Sequence, residues 1–178
     1  MQNFIPKRVY IESAALEYPL GKNLYEYFKS KGIPIKYTTS HNRVLGIPGK
    51  TPSCKYREAK STLVIGTRKS KKFETCRPSA HFQLPLVTGC PGKCEYCYLT
   101  TNLGKKPYIR IYVNIDEILS IAKDYMEQRK PEITLFEGAA TSDPLPVEIY
   151  TGALKQTINF FFRTAVWPFS FCDEIYQC

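Results

Sequence analysis

Cys90, Cys94 and Cys97 fall within the eight residues Cys-Pro-Gly-Lys-Cys-Glu-Tyr-Cys, a spacing that lets one tight loop wrap three thiolates around one face of an iron-sulfur cluster. Gly89 and Gly92 supply the permissive dihedrals such a wrap requires. Three ligands to a 4Fe-4S cube leave one iron without a protein ligand, open to a substrate or cofactor. A zinc site is the competing reading; it closes with four ligands and would have to recruit Cys76 or His81. A ferredoxin-like carrier would want a fourth Cys at regular spacing, and none follows within the motif.

The surrounding pattern says what must position these thiols. Phe82 to Val87 reads as a buried strand leading directly into the Cys loop. A helix follows: Asn114 is placed to cap it with Glu117 three residues on, Ile115, Ile118, Leu119, Ala122, Tyr125 and Met126 form one stripe, and Pro131 prevents its continuation. Residues 132–140 read as a strand, and Val147, Tyr150, Leu154, Ile158 and Phe161 stripe a further helix. Alternating strands and helices imply parallel βα units with their chemistry at the C-terminal strand ends, where the Cys loop and Ala139-Ala-Thr-Ser-Asp143 both fall.

Upstream, Arg8-Val-Tyr-Ile11 reads as a strand, Leu20, Leu24, Tyr25 and Phe28 share a helix face stopped by Gly32, and residues 33–37 and 61–65 read as two more strands. The fold class is therefore α/β, with a small N-terminal α/β unit over residues 1–75. His41 lies in the loop between those last strands and is expected at the surface.

The chain carries 25 Lys and Arg against 16 Asp and Glu, a formal +9 that suits a polyanionic partner such as nucleic acid. No stretch approaches the roughly 20 apolar residues of a membrane span, and no apolar run follows Met1, so no membrane partner is expected and the chain is expected to be cytoplasmic. Seven cysteines, three of them crowded together, fit reduced thiols or metal ligands better than a secreted disulfide framework.

The motif C-x3-C-x2-C after a βα-type strand is the signature of radical S-adenosylmethionine enzymes. Its surroundings, Gly89-Cys-Pro-Gly-Lys-Cys-Glu-Tyr-Cys-Tyr-Leu99, Lys106-Pro-Tyr-Ile-Arg110 and Thr141-Ser-Asp143, together with Val9-Tyr-Ile-Glu12, Leu16-Glu-Tyr-Pro-Leu20 and Thr39-Ser-His-Asn42, resemble the spore photoproduct lyases from Met1 to about Phe162. The resemblance implies that residues 76–162 are the first βα units of a partial (β/α)6 barrel, and that the chain acts on DNA containing thymine dimer lesions in the spore core. It implies a 4Fe-4S cluster and S-adenosyl-L-methionine as cofactors, and a reducing electron donor. The reaction implied is reversal of the methylene-bridged thymine dimer to two thymines through a 5'-deoxyadenosyl radical.

By the same resemblance Tyr96 and Tyr98 pack near the cofactor and relay hydrogen atoms, and Ser142 hydrogen-bonds the cofactor; their alternatives are aromatic packing and a turn ahead of Pro144. Many members of the family carry Cys immediately before Thr-Ser-Asp, where this chain has Ala140. The thymine radical left after bridge cleavage needs a hydrogen atom from a weak bond, and Cys76 is the candidate donor, with a small buried residue as its plain alternative. The resemblance fades after Asn159-Phe162, residues 163–178 read as a divergent tail, and members of the family are longer. The chain is therefore expected to be a truncated portion with an open strand edge, poor stability and impaired repair. Two other readings are a non-catalytic basic iron-sulfur or zinc module that binds nucleic acid, and a radical enzyme with another substrate.

Overall fold

The computed structural model describes residues 4–92, 94, 97, 106–163 and 169–171. Two sheets carry the fold. The first is five-stranded, in the order β2-β1-β3-β6-β5, from β1 (Arg8–Glu12), β2 (Ile35–Thr38), β3 (Thr62–Gly66), β5 (Val87–Thr88) and β6 (Ile109–Tyr112). β1, β2, β3 and β6 run parallel, and β5 closes the edge antiparallel to β6. The second sheet is parallel and ordered β4 (Phe82–Leu84), β7 (Phe136–Gly138), β8 (Phe169–Phe171).

The helices are α1 (Pro19–Ser30), α2 (Pro52–Lys60), α3 (Ile115–Arg129), α4 (Leu145–Thr151) and α5 (Ala153–Arg163), with a 3-10 turn at Ser13–Glu17. This is the expected mixed α/β architecture, in which a parallel sheet buried on both faces reads as near-continuous apolar strands. Val9, Ile11, Leu63, Ile65, Ile109 and Ile111 point to one core with Phe28, Phe136, Val147 and Phe161. Alternate residues Tyr10, Val64 and Tyr108 point the other way, under Val44 and Ile47.

The division expected at residue 75 is not a break between sheets. β6, from the second segment, is hydrogen-bonded along β3, from the first, and the core is continuous across them.

Four local differences have physical causes. α2 begins where the expected loop ends, in a stretch to which the apolar pattern assigns no element: Thr51 caps it by accepting from the Cys54 N–H at 3.2 Å, and Pro52 starts it, but its sequence has no apolar stripe. The single stripe expected over 147–161 is two helices, because Gly152 turns left-handed at φ +60° and the Glu148 carboxylate accepts from the N–H groups of Leu154 and Lys155, both at 2.9 Å. Asn114 stands at the N-cap of α3 but its side chain makes no capping bond: its oxygen accepts from the Arg68 N–H at 2.8 Å, while its amide donates to Glu117 at 2.7 Å. His41 is buried rather than at the surface.

Candidate iron and cofactor site

β5 hands the chain directly to the cysteine loop, so its geometry begins at Gly89. There φ is +85°, and a Cβ would stand 2.5 Å from the Tyr108 carbonyl oxygen. Only glycine lets the loop lie this close to β6 in that conformation. On the other side the Thr-Ser-Asp turn, entered through a left-handed Ala139 at φ +56° after β7, holds the same residue. The Ser142 hydroxyl donates to the Gly89 carbonyl at 2.6 Å, and the Gly89 N–H donates to the Thr141 carbonyl at 3.3 Å. The two segments expected at C-terminal strand ends are thus tied to one another.

Cys90 is buried, and its sulfur accepts from the Gly92 N–H at 3.3 Å and from the Asp143 backbone N–H. Burial raises its thiol pKa, and these two N–H groups and the Lys60 ammonium oppose that rise. Cys94 and Cys97 follow on the loop, with the Cys97 N–H donating to the Cys94 carbonyl at 3.4 Å. Among the described residues no three His, Cys, Asp or Glu side chains converge as for one metal ion. A cube asks for something else, since each thiolate takes a different iron. The donor set fits it: soft sulfur ligands on one loop, the first dehydrated and met by N–H dipoles.

Tyr96 and Tyr98 lie outside the described residues. Ser142 is buried at the turn. Its hydroxyl proton belongs to Gly89, leaving oxygen lone pairs as its remaining capacity. The Cys76 thiol donates to the Glu137 carboxylate at 3.1 Å and meets the Ser79 hydroxyl at 3.5 Å; among the described residues it makes no hydrogen bond to the cysteine loop. Burial pushes the Cys76 thiol up; the Ser79 hydroxyl opposes that rise and the Glu137 carboxylate adds to it. Glu137 pairs in register with Gln83, and Gln83 lines a cavity of about 210 Å³ together with Arg68, Glu74, Ala139, Ala140 and Thr141.

Two arrangements escape sequence reasoning. One is the α2 face toward the cysteines, carrying Tyr56 and Lys60. The other is a buried polar network at the ends of β1 and β3, where the chain changes direction across the sheet. Glu12 accepts from the His41 N–H at 2.7 Å, the Thr67 N–H at 2.9 Å and, at 3.0 Å, His41 Nδ1, while Arg110 donates to Asn42 at 3.0 Å. Desolvation lowers the His41 pKa, only partly offset by Glu12. Its signal is in the sequence: Glu12, His41-Asn42 and Arg110 all sit inside the motifs quoted above.

The sequence model of the spore photoproduct lyases matches residues 4–174. The chain belongs to the spore photoproduct lyase family. That match continues past Phe162, into the segment read as a divergent tail and through β8. Curated spore photoproduct lyases are 54% identical over 164 residues in a Geobacillus species, covering 92% of this chain and 48% of that protein, and 50% identical over 178 residues in Bacillus subtilis, covering 99% and 52%. The chain spans about half the length of the curated relatives it matches.

Among solved structures, a spore photoproduct lyase complexed with dinucleoside spore photoproduct superposes with TM-score 0.92 at 53% identity, over 96% of this chain and 50% of that one. A second, with a cysteine replaced by alanine and a serine by cysteine, holds AdoMet and the dinucleoside spore photoproduct; it matches at TM-score 0.92 and 54% identity, over 96% and 50%. No helix among the described residues is long and apolar enough to cross a membrane.

Proposed function

We propose that this chain carries the cofactor-binding part of a radical S-adenosylmethionine lyase that restores two thymines from the methylene-bridged dimer in DNA. The observation that carries the reading is the joining of the Cys90 loop to the Thr-Ser-Asp turn through Gly89 and Ser142, in a chain of this family. Cys90, Cys94 and Cys97 are the cluster ligands. The cluster and S-adenosylmethionine together supply one-electron cleavage of a sulfonium bond, with the electron coming from an external reductant.

The chain's own residues bind and orient. Ser142 fixes the turn against the loop and offers its lone pairs to the cofactor, and Tyr96 and Tyr98, on either side of Cys97 in the sequence, serve as hydrogen-atom relays. Cys76 is the hydrogen-atom donor to the thymine radical, since Ala140 has no S–H to give. A thiol held above its ordinary pKa stays protonated, which is the form a hydrogen-atom donor requires. In keeping with this division, the solved relative that holds AdoMet and the dinucleoside lesion carries an alanine in place of a cysteine and a cysteine in place of a serine. The exposed Lys69, Lys71 and Lys72 offer charge to the DNA backbone.

The test is incubation of the anaerobically reconstituted chain with S-adenosylmethionine, dithionite and dinucleoside spore photoproduct. The reading predicts dithymidine from the parent chain at a lower yield than from a full-length member of the family, since the chain spans about half of such a protein, and trapped adducts in its place from Cys76→Ala. Clean dithymidine from Cys76→Ala would remove Cys76 from the mechanism, and no conversion by an iron-loaded parent chain would contradict the lyase assignment.

A further inference from the structure

The last turn of α2 points a lysine at the cysteine loop. Lys60 is 4% exposed, donates a hydrogen bond to the Gly92 carbonyl between Cys90 and Cys94, and lies 5.7 Å from the centre of the Tyr56 ring. Among the described residues, no carboxylate stands within ion-pair distance of its ammonium. A buried ammonium is costly unless a negative charge answers it. What faces it is the cysteine loop, which it meets at the Gly92 carbonyl between Cys90 and Cys94. Thiolates would therefore supply the charge that Lys60 lacks, and Lys60 the charge that they lack.

We infer that Lys60 is a positioning and charge-compensating residue of the iron site, fixing the turn at Gly92 and favouring the electron that a cluster on Cys90, Cys94 and Cys97 accepts. This rests on the cluster reading of those three cysteines. Reduction adds a negative charge to a site already carrying three thiolates, so a fixed cation nearby makes the potential less negative. The carbonyl it holds is part of the only covalent link between the first two ligands. Loss of the lysine should therefore loosen the loop as well as change its field.

The experiment compares the parent chain with Lys60→Gln, Lys60→Met and Lys60→Arg, each reconstituted anaerobically. Iron and sulfide are counted, the midpoint potential is read by electron paramagnetic resonance, and the fold is followed by circular dichroism. Lys60→Gln keeps a donor for Gly92 without the charge. It should load iron and show at least a tenfold smaller equilibrium constant for one-electron reduction, a shift of about 59 mV to more negative potential. Lys60→Arg should stay near the parent.

Lys60→Met should show the same shift and faster iron loss to a chelator. If both neutral variants fail to hold iron while folded, and Lys60→Arg holds it, charge compensation is again supported. An unchanged potential in an iron-loaded Lys60→Gln or Lys60→Met would overturn the inference, as would failure of Lys60→Arg alongside the others. A parent chain that binds no iron at all would instead remove the cluster reading beneath it.

Discussion

Replacing Gly89 by alanine tests the claim that the cysteine loop is held in place by its closeness to β6. Two costs arise there. An L residue at φ +85° pays about 1–2 kcal/mol of backbone strain. The added Cβ would also stand 2.5 Å from the Tyr108 oxygen and 3.2 Å from its carbonyl carbon, both backbone atoms that cannot rotate away. Overpacking of this kind costs about 1–3 kcal/mol, so the total is about 2–5 kcal/mol. β5 pairs with β6 through only Val87↔Ile111 and Thr88↔Arg110, so the cheapest relief is for the loop to peel from β6 and carry Cys90 with it.

Gly32→Ala separates the two terms, because Gly32 has φ +67° with nothing within 4 Å of its would-be Cβ. It should lower Tm through the strain alone, by about 2–4 °C per kcal/mol in a chain of this size, and leave iron loading unchanged. Gly89→Ala should lower Tm further and fall well below the parent in iron bound after reconstitution. Full iron loading in Gly89→Ala, with a Tm no lower than that of Gly32→Ala, would refute the reasoning.

Ser142→Ala leaves the buried Gly89 carbonyl without its hydroxyl donor and should cost about 1–3 kcal/mol, seen as a lower Tm and faster chelator extraction of iron; parental values for both would remove the tie. Cys76 should be alkylated by iodoacetamide at pH 8 more slowly than a cysteine in a short peptide, because burial raises that thiol, and Glu137→Gln should speed it, because the Glu137 carboxylate adds to the rise; equal rates would contradict the contact. His41 has a lowered pKa in the fold, so below the ordinary histidine value of 6.5 the unfolded chain takes up the proton first. Stability should therefore fall as pH drops from about 6.5 toward the lower folded value. In thermal melts His41→Gln should flatten that slope, and an unchanged slope would assign it elsewhere.

The three candidate metal ligands are legible because their types and spacing carry the chemistry locally, and the strands are legible because a sheet buried on both faces leaves apolar runs such as Thr62–Gly66. Less legible were features that depend on long-range pairing. Nothing within residues 1–75 announces that β3 will hydrogen-bond β6, so one continuous sheet reads as two units. Lys60 looks like any solvated lysine near the end of a polar helix, and only the approach of Gly92, 32 residues away in sequence, buries it. Asn114 has the spacing of a cap, yet its oxygen is taken by Arg68, 46 residues upstream. Cys76 is a candidate donor only because Ala140 lacks a thiol, and nothing local in the sequence points to its partner Glu137, which lies 61 residues off.

The central claim is that Cys90, Cys94 and Cys97 hold a cluster whose open iron works on S-adenosylmethionine. It is tested most directly by reducing the anaerobically reconstituted chain in the presence of S-adenosylmethionine and measuring 5'-deoxyadenosine, with Cys94→Ala alongside. The account predicts 5'-deoxyadenosine from the parent chain and none from Cys94→Ala. A parent chain that loads four irons and is reduced, yet leaves S-adenosylmethionine intact, would contradict it.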